Sequence, residues 1–227
     1  GTVKVLGHSL NQFKRDFYEE IGVSFELPHH FNKLTALENL NYFASLYSKA
    51  TTEPIEILEE LGLHDSADTP VGRFSKGMKN RLSLARALIH KPAVLFLDEP
   101  SSGLDPLHVR KVKDIILSLR RKGKTVFLTT HDMSVAAELC DRVGFIVDGK
   151  LKLVADPKEL AIKHQEPVVQ VKYQQNGTSK TLDFPLEGLG YNESFLSFIR
   201  KHKVLSIHSK DATLEDIFIK VTGRNLA

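Results

Sequence analysis

The sequence predicts an α/β protein: a parallel-sheet core carrying a helical segment, followed by a small α+β appendix. Three observations predict it. Residues 93–97, AVLFL, are apolar throughout and stop abruptly at Asp98, Glu99 and Pro100, as a strand buried on both faces does at the end of a parallel sheet. A second run, residues 125–130, ends similarly at His131 and Asp132, and a helical pattern with Val109, Val112, Ile115, Ile116 and Leu119 on one face joins the two runs. Beyond residue 165 the pattern changes to β segments flanking Asn176-Gly177, a dipeptide that favours a two-residue hairpin turn.

In chain order, residues 3–6 and 21–25 read as strands, with a polar helix or loop over 11–20 between them. Residues 28–33 form a loop, in which His29 and His30 have no further ligands at metal spacing and read as surface residues. Thr35 and Glu38 make a capping box, and Leu37, Leu40, Phe43, Ala44 and Tyr47 share the core face of the helix it starts. A second amphipathic segment covers 55–63. Residues 71–73 lead to Phe74-Ser75-Lys76-Gly77-Met78 and a helix whose apolar face is Met78, Leu82, Ala85, Leu88 and Ile89. The first backbone N–H groups of that helix, with Ser75 and Gly77 in front, make an anion site.

Leu104-Asp105-Pro106 opens the next helix. Gly123-Lys124-Thr125 spells the end of a phosphate loop, but Ser118 stands where the first Gly is required and a strand follows, so it reads as a helix-to-strand turn. Residues 145–150 give a hairpin turn and 158–165 a polar helix at the boundary of the appendix. There, strands over 168–173 and 178–184 are followed by a helix (193–201), a strand (204–208) and a final helix (213–221).

Composition narrows the function. Lys and Arg total 31 against 28 Asp and Glu, a net charge of +3, which does not argue for nucleic acid. The local basic runs 73–86 and 110–124 read as solvated helix faces, with a phosphate or acidic-partner surface as the other reading. Cys140 is the single cysteine, so no intrachain disulfide forms and a reducing compartment is expected. No apolar run approaches the roughly 20 residues that span a bilayer, so any membrane association is expected through a partner. Ser101-Ser102-Gly103 lacks the G-x-S-x-G elbow of a serine hydrolase.

At the end of the first strand, Asp98 can hold a hydrated Mg²⁺ and Glu99 can polarise a water for attack on a phosphoryl group. The plain alternative is a core strand ending in a solvated acidic turn. With the Phe74–Met78 turn upstream, Leu104-Asp105-Pro106 next and His131 after the second strand, the sequence resembles an ABC-type ATPase subunit over nearly the whole chain. Its Ser-Lys-Gly-Met turn resembles the variant of drug-, antibiotic- and polysaccharide-exporter subunits.

The resemblance implies a P-loop NTPase-type (RecA-like) parallel sheet core, an ATPase domain over 1–160 with a helical subdomain at about 34–90, and an accessory α+β domain over 161–227. It implies ATP and Mg²⁺, with Asp98 holding the metal, Glu99 as general base, and His131 and Ser75 reading the γ-phosphate. Lys76, Gly77 and Met78 complete the signature turn, and Asp105 connects two sites across a dimer. Glu26 stands where the family usually has a Gln sensing metal and water; as a carboxylate it is either a metal ligand or an ordinary loop acid. The implied partners are a second ATPase subunit and a transmembrane permease, docked at residues 26–34 through Phe31 and Leu34, on the cytoplasmic face of a membrane. No nucleic-acid partner is implied.

No G-x-x-x-x-G-K-[ST] loop occurs in the sequence, which opens at Gly1-Thr2-Val3. The expectation is therefore that these residues begin inside a longer product and are inactive alone. Two other classes remain: a catalytically silent interaction module, and a soluble ATPase of the same superfamily in translation or DNA repair. The latter would show tandem cassettes, a long coiled coil or a basic arm, none of which the sequence contains.

Overall fold

The computed structural model describes residues 1–164, 167–175, 177–209 and 212–223. Two compact units divide the chain, Gly1–His131 and Asp132–Ala227.

The first unit opens with β1 (Lys4–Val5) and β2 (His8–Ser9). The single strand expected over 3–6 is instead half of a tight hairpin, because Leu6 and Gly7 both take positive φ, 50° and 80°, and turn the chain back. A short helix α1 (Arg15–Tyr18) precedes β3 (Ile21–Ser24). Helix α2 (Ala36–Ala44) starts at Thr35, whose hydroxyl accepts from the Glu38 N–H while the Glu38 carboxylate accepts from the Thr35 N–H. Such a cap contributes about 1 kcal/mol. Helix α3 (Pro54–Glu60) has Pro at its first position, where the missing N–H costs nothing. A 3-10 turn over Val71–Arg73 leads to α4 (Lys76–Leu88), which packs with α2 and α3.

The sheet of this unit follows. β4 (Val94–Asp98) lies between β3 and β5 (Thr125–Thr129), parallel to both, and α5 (Pro106–Arg121) connects β4 to β5. The most apolar strand occupies the centre because it alone has a neighbour on each side. The register lines up Gly22, Leu95 and Val126 on one face and Val23, Phe96 and Phe127 on the other. The Gly22 face meets α4 so closely that a Cβ at Gly22 would lie 2.1 Å from the Ala87 carbonyl oxygen. Buried Leu82, Ala85, Ile89, Leu95 and Leu97 form the interior between helix and sheet. The other face is more open, with Phe127 59% exposed.

The second unit carries α6 (Met133–Leu139), the hairpin β6 (Val143–Val147) and β7 (Lys150–Ala155), and α7 (Pro157–His164). Asp148 and Gly149 turn the hairpin with φ of 51° and 69°, the handedness that matches strand twist. Strands β8 (Val168–Gln175) and β9 (Thr178–Pro185), helix α8 (Glu193–Lys201), strand β10 (Lys203–Ser209) and helix α9 (Leu214–Thr222) complete it. The second sheet is antiparallel in the order β10-β8-β9.

Two apolar clusters organise this unit. Val169, Val171, Phe184 and Phe195 hold the β8–β9 hairpin to α8. Val143, Phe145, Leu160, Leu214 and Ile217 form the other, so the last helix returns to pack beside α6 and α7. The expected helix end at Gln165 and Asn176 of the expected turn lie outside the described residues. Among those described, no helix is long and apolar enough to cross a membrane.

Candidate functional site

The parallel register places Asp98 directly beside Thr129, so the residues after each strand emerge at one sheet edge, where ligands of open α/β sheets bind. Thr129 Oγ1 donates to Asp98 Oδ1 at 2.5 Å. The Glu99 carboxylate receives three donors: the His131 backbone N–H at 2.7 Å and His131 Nδ1 at 2.8 Å on Oε1, and Thr130 Oγ1 at 3.1 Å on Oε2. A carboxylate only accepts, so His131 carries its proton on Nδ1 in this contact, which fixes the ring's orientation. The Glu99 side chain is 16% exposed while that of His131 is 80% exposed.

Glu99 also adopts φ +46°, a left-handed conformation that costs a non-Gly residue about 1–2 kcal/mol. Its N–H donates to the Thr129 carbonyl and its own carbonyl accepts from the Ser102 N–H, both at 3.0 Å. Backbone strain held by so many contacts is characteristic of a working site. Among the described residues no group of three or more His, Cys, Asp or Glu is arranged to hold a metal. Of the two carboxylates at the edge, exposed Asp98 is the one that could serve as a ligand to a Mg²⁺ that keeps water for most of its six positions.

A second polar group surrounds the start of α4. Ser75 is its N-cap, accepting from the Met78 N–H at 3.2 Å. Lys76 Nζ lies 3.4 Å from Ser102 Oγ and 3.9 Å from Glu26 Oε1, and Ser102 Oγ reaches the same Glu26 oxygen at 3.5 Å. Asn80 Nδ2 donates to the Ser102 carbonyl at 2.7 Å. Gly77 packs closely on the next segment: a Cβ there would lie 3.1 Å from the Gly103 carbonyl oxygen. Met78 is half-buried on the same helix. A groove of about 300 Å³ beside these residues is lined by Glu26, Leu27, Pro28, His29, Lys76, Lys79 and Asn80.

Asp105 is the N-cap of α5. Its Oδ1 accepts from the Leu107 and His108 N–H groups at 3.1 Å, and Oδ2 meets His108 Nδ1 at 2.5 Å. The hydrogen bond from the His108 side chain is the main reason its carboxyl sits below the usual range. The structure thus gathers Asp98, Glu99 and His131 at the ends of β4 and β5, and Glu26, Ser75, Lys76 and Gly77 around the start of α4.

Sequence reasoning missed four participants: Thr129, Thr130, Ser102 and Asn80. The two threonines carried a signal, since hydroxyls ending the strand beside an acidic strand end are placed to donate to it. Asn80 and Ser102 carried none. One reading is corrected. His30 is half-buried instead of a free surface residue: Nε2 donates to the Lys79 carbonyl at 2.9 Å, and Nδ1 is buried with no hydrogen-bond partner among the described residues. Burial foremost, aided by the charges of Arg86 and Lys79, pushes its pKa down to about 4.

Comparisons with known proteins follow this geometry. The family model described as ABC transporter matches residues 1–102, and that described as the fluoroquinolone efflux ABC transporter C-terminal domain matches residues 167–211. A fluoroquinolones export ATP-binding protein of Mycobacterium tuberculosis is 53% identical over 212 residues, covering 93% of this chain and 70% of that protein. The bacitracin transport ATP-binding protein BcrA of Bacillus licheniformis is 30% identical over 244 residues, covering 98% and 79%. Among solved structures, a dimeric post-hydrolysis state of an ATP-binding cassette bound to ADP and Pi superposes with a TM-score of 0.60 at 25% identity, over 69% of this chain and 73% of that one. Family model, relatives and fold agree: the chain belongs to the ATP-binding subunits of ABC transporters.

Proposed function

We propose that this chain works within an ATP-hydrolysing subunit that drives export of a drug-like compound through a separate transmembrane permease. The observation that carries the reading is the Asp98, Glu99 and His131 edge, where a shielded carboxylate is held by three donors beside a second, more open one. On this reading Glu99 accepts the proton of the attacking water, His131 and Ser75 address the terminal phosphate, and Asp98 ligates Mg²⁺, which supplies charge neutralisation at the phosphates. Lys76, Gly77 and Met78 complete the phosphate-facing turn, Glu26 senses the nucleotide, and Asp105 communicates with the second subunit of a dimer. The 53% identical relative is named for fluoroquinolone export, so planar, fused-ring antibiotics are the substrate class to test first.

The ATPase domain is assigned to 1–160 and the accessory domain to 161–227 on the separate family match at 167–211 and the separate apolar cluster of β8, β9 and α8; the compact units divide earlier, at 131/132, and α9 packs on α6 and α7 across the assigned boundary. The 227 residues alone are proposed to bind ATP poorly and turn it over hardly at all, since they contain no lysine-bearing phosphate loop. Titration with a fluorescent ATP analogue tests this; micromolar affinity with Mg²⁺-dependent turnover overturns it.

The permease is proposed to dock against the loop over residues 26–34, placing the subunit on the cytoplasmic face of a membrane. Phe31 is 45% exposed while packing on Tyr42 and Phe43 at centroid distances of 5.0 and 5.9 Å. Asn39 pins the same loop, accepting from the Phe31 N–H and donating to its carbonyl. A loop presenting half an aromatic ring, with Leu27 also exposed, suits a protein partner. Phe31→Asp in the intact subunit should abolish permease co-purification while basal ATPase persists. Unchanged co-purification and transport exclude the loop as the interface.

A further inference from the structure

Glu26, Lys76 and Ser102 come from three segments far apart in sequence, the loop after β3, the first residue of α4 and the loop after β4, yet their polar atoms form a triangle with sides of 3.4, 3.5 and 3.9 Å. The Lys76 stem also fills the space beside Gly103, whose φ is +71° and where an added Cβ would lie 3.1 Å from Lys76 Cδ. One turn further along α4, Asn80 holds the Ser102 carbonyl, while its own Oδ1 is buried and has no hydrogen-bond partner among the described residues. An ammonium has three donors and no acceptor. Around Lys76 the chain supplies the Glu26 carboxylate and the Ser102 hydroxyl.

We propose that Lys76 is a positioning residue whose ammonium, relayed by Ser102, ties the Glu26 loop to residues 101–104 and to the start of α4, so that these three segments move as one. This rests on the ATPase reading above and adds to it a device that depends on the Glu and Lys being present together. The side chains of Lys76 and Glu26 are about half exposed, and exposed ion pairs add little to folding stability. Their value here is geometric. The side lengths lie at the outer limit of hydrogen bonding, so the triangle is a loose latch.

The experiment uses the intact subunit with K76E, E26K, the exchanged pair E26K/K76E, and K76R. Amide hydrogen exchange is followed over 25–30 and 99–105 in the nucleotide-free protein, and kcat and KM are measured separately. Each single reversal should speed exchange in both segments by about 5–10-fold, the exchanged pair should return within about 2-fold of wild-type exchange, and K76R should exchange as wild type. Turnover should fall in both single reversals, with kcat falling more than KM rises; no recovery of turnover is expected of the exchanged pair, whose residues also face the nucleotide, and raising NaCl from about 0.05 to about 0.5 M should shrink the coupling in exchange. Thermal midpoints should stay within about 2 °C, which separates loss of the latch from loss of the fold. Unchanged exchange in K76E, or an exchanged pair no better than the two single effects combined, overturns the proposal. Coupled exchange in a wild-type subunit that never hydrolyses ATP keeps the latch and overturns the ATPase reading instead.

Discussion

The two polar groups of the first unit differ in how tightly they are made. At the sheet edge, contacts of Asp98 and Glu99 to Thr129, Thr130 and His131 run from 2.5 to 3.1 Å, and Glu99 is held with positive φ. Around α4, the triangle of Glu26, Lys76 and Ser102 has sides of 3.4 to 3.9 Å. The edge is built by hydrogen-bonded neighbouring strands whose register leaves little freedom. The α4 group is built from loop, helix start and loop. Chemistry that needs preorganised charge belongs on the first kind of frame; a part that moves with ligand or partner belongs on the second.

The largest test of this contrast is Glu99→Gln in the intact subunit. The amide keeps the shape but cannot take a proton, so turnover should fall about 10²–10⁴-fold with nucleotide affinity largely kept. Turnover near wild type removes Glu99 from the role of base and leaves the tight edge a structural device only.

Gly22→Ala probes the scaffold that both groups share, because β3 and α4 meet there. A methyl 2.1 Å from a helix carbonyl forces strand and helix apart, and about 2–3 kcal/mol of stability should be lost, read from the urea midpoint. A neutral result would mean that α4 can shift freely against the sheet, and the contrast between fixed and loose frames would fail.

His131→Ala should slow turnover by about 10–10²-fold, less than Glu99→Gln, because the His131 backbone N–H and Thr130 still hold the Glu99 carboxylate. If both changes cost the same, the imidazole and the carboxylate act as one unit.

The smallest expected effect is on pH. His30 has its pKa pushed from 6.5 to about 4 in the fold, so folded and unfolded chains are both neutral at this ring above 6.5 and its contribution is fully present there. As pH falls from 6.5 towards 4 the unfolded chain takes up a proton that the folded chain refuses, and stability declines, by about 1–2 kcal/mol for a half-buried ring. His90, stacked on Tyr47 and also lowered by burial, adds in the same direction. Denaturation midpoints of wild type and His30→Gln between these pH values should converge towards the acid end; parallel curves would show that His30 stays protonatable in the fold.

Much of this was legible in the sequence because it is written in short-range pattern. An apolar run ended by carboxylates gave β4 and its edge, the Thr35 and Glu38 spacing gave the start of α2, and Asp105-Pro106 gave the start of α5. His30 was not legible, since its burial depends on a carbonyl 49 residues away. Nor was the hairpin at Leu6-Gly7, where two positive φ values cut short what reads as one strand.

By itself the sequence determined which residues could do chemistry and at which ends of which elements they stand, because helical and strand periodicity and capping act over a few residues. Only the tertiary structure decided which of them meet. That Glu26 and Lys76 stand 3.9 Å apart across 50 residues follows from the packing of β3 against α4. So does the place of Ser102 between them. Contacts of that range are set by how helices and strands pack, a property of the whole unit that no local pattern records.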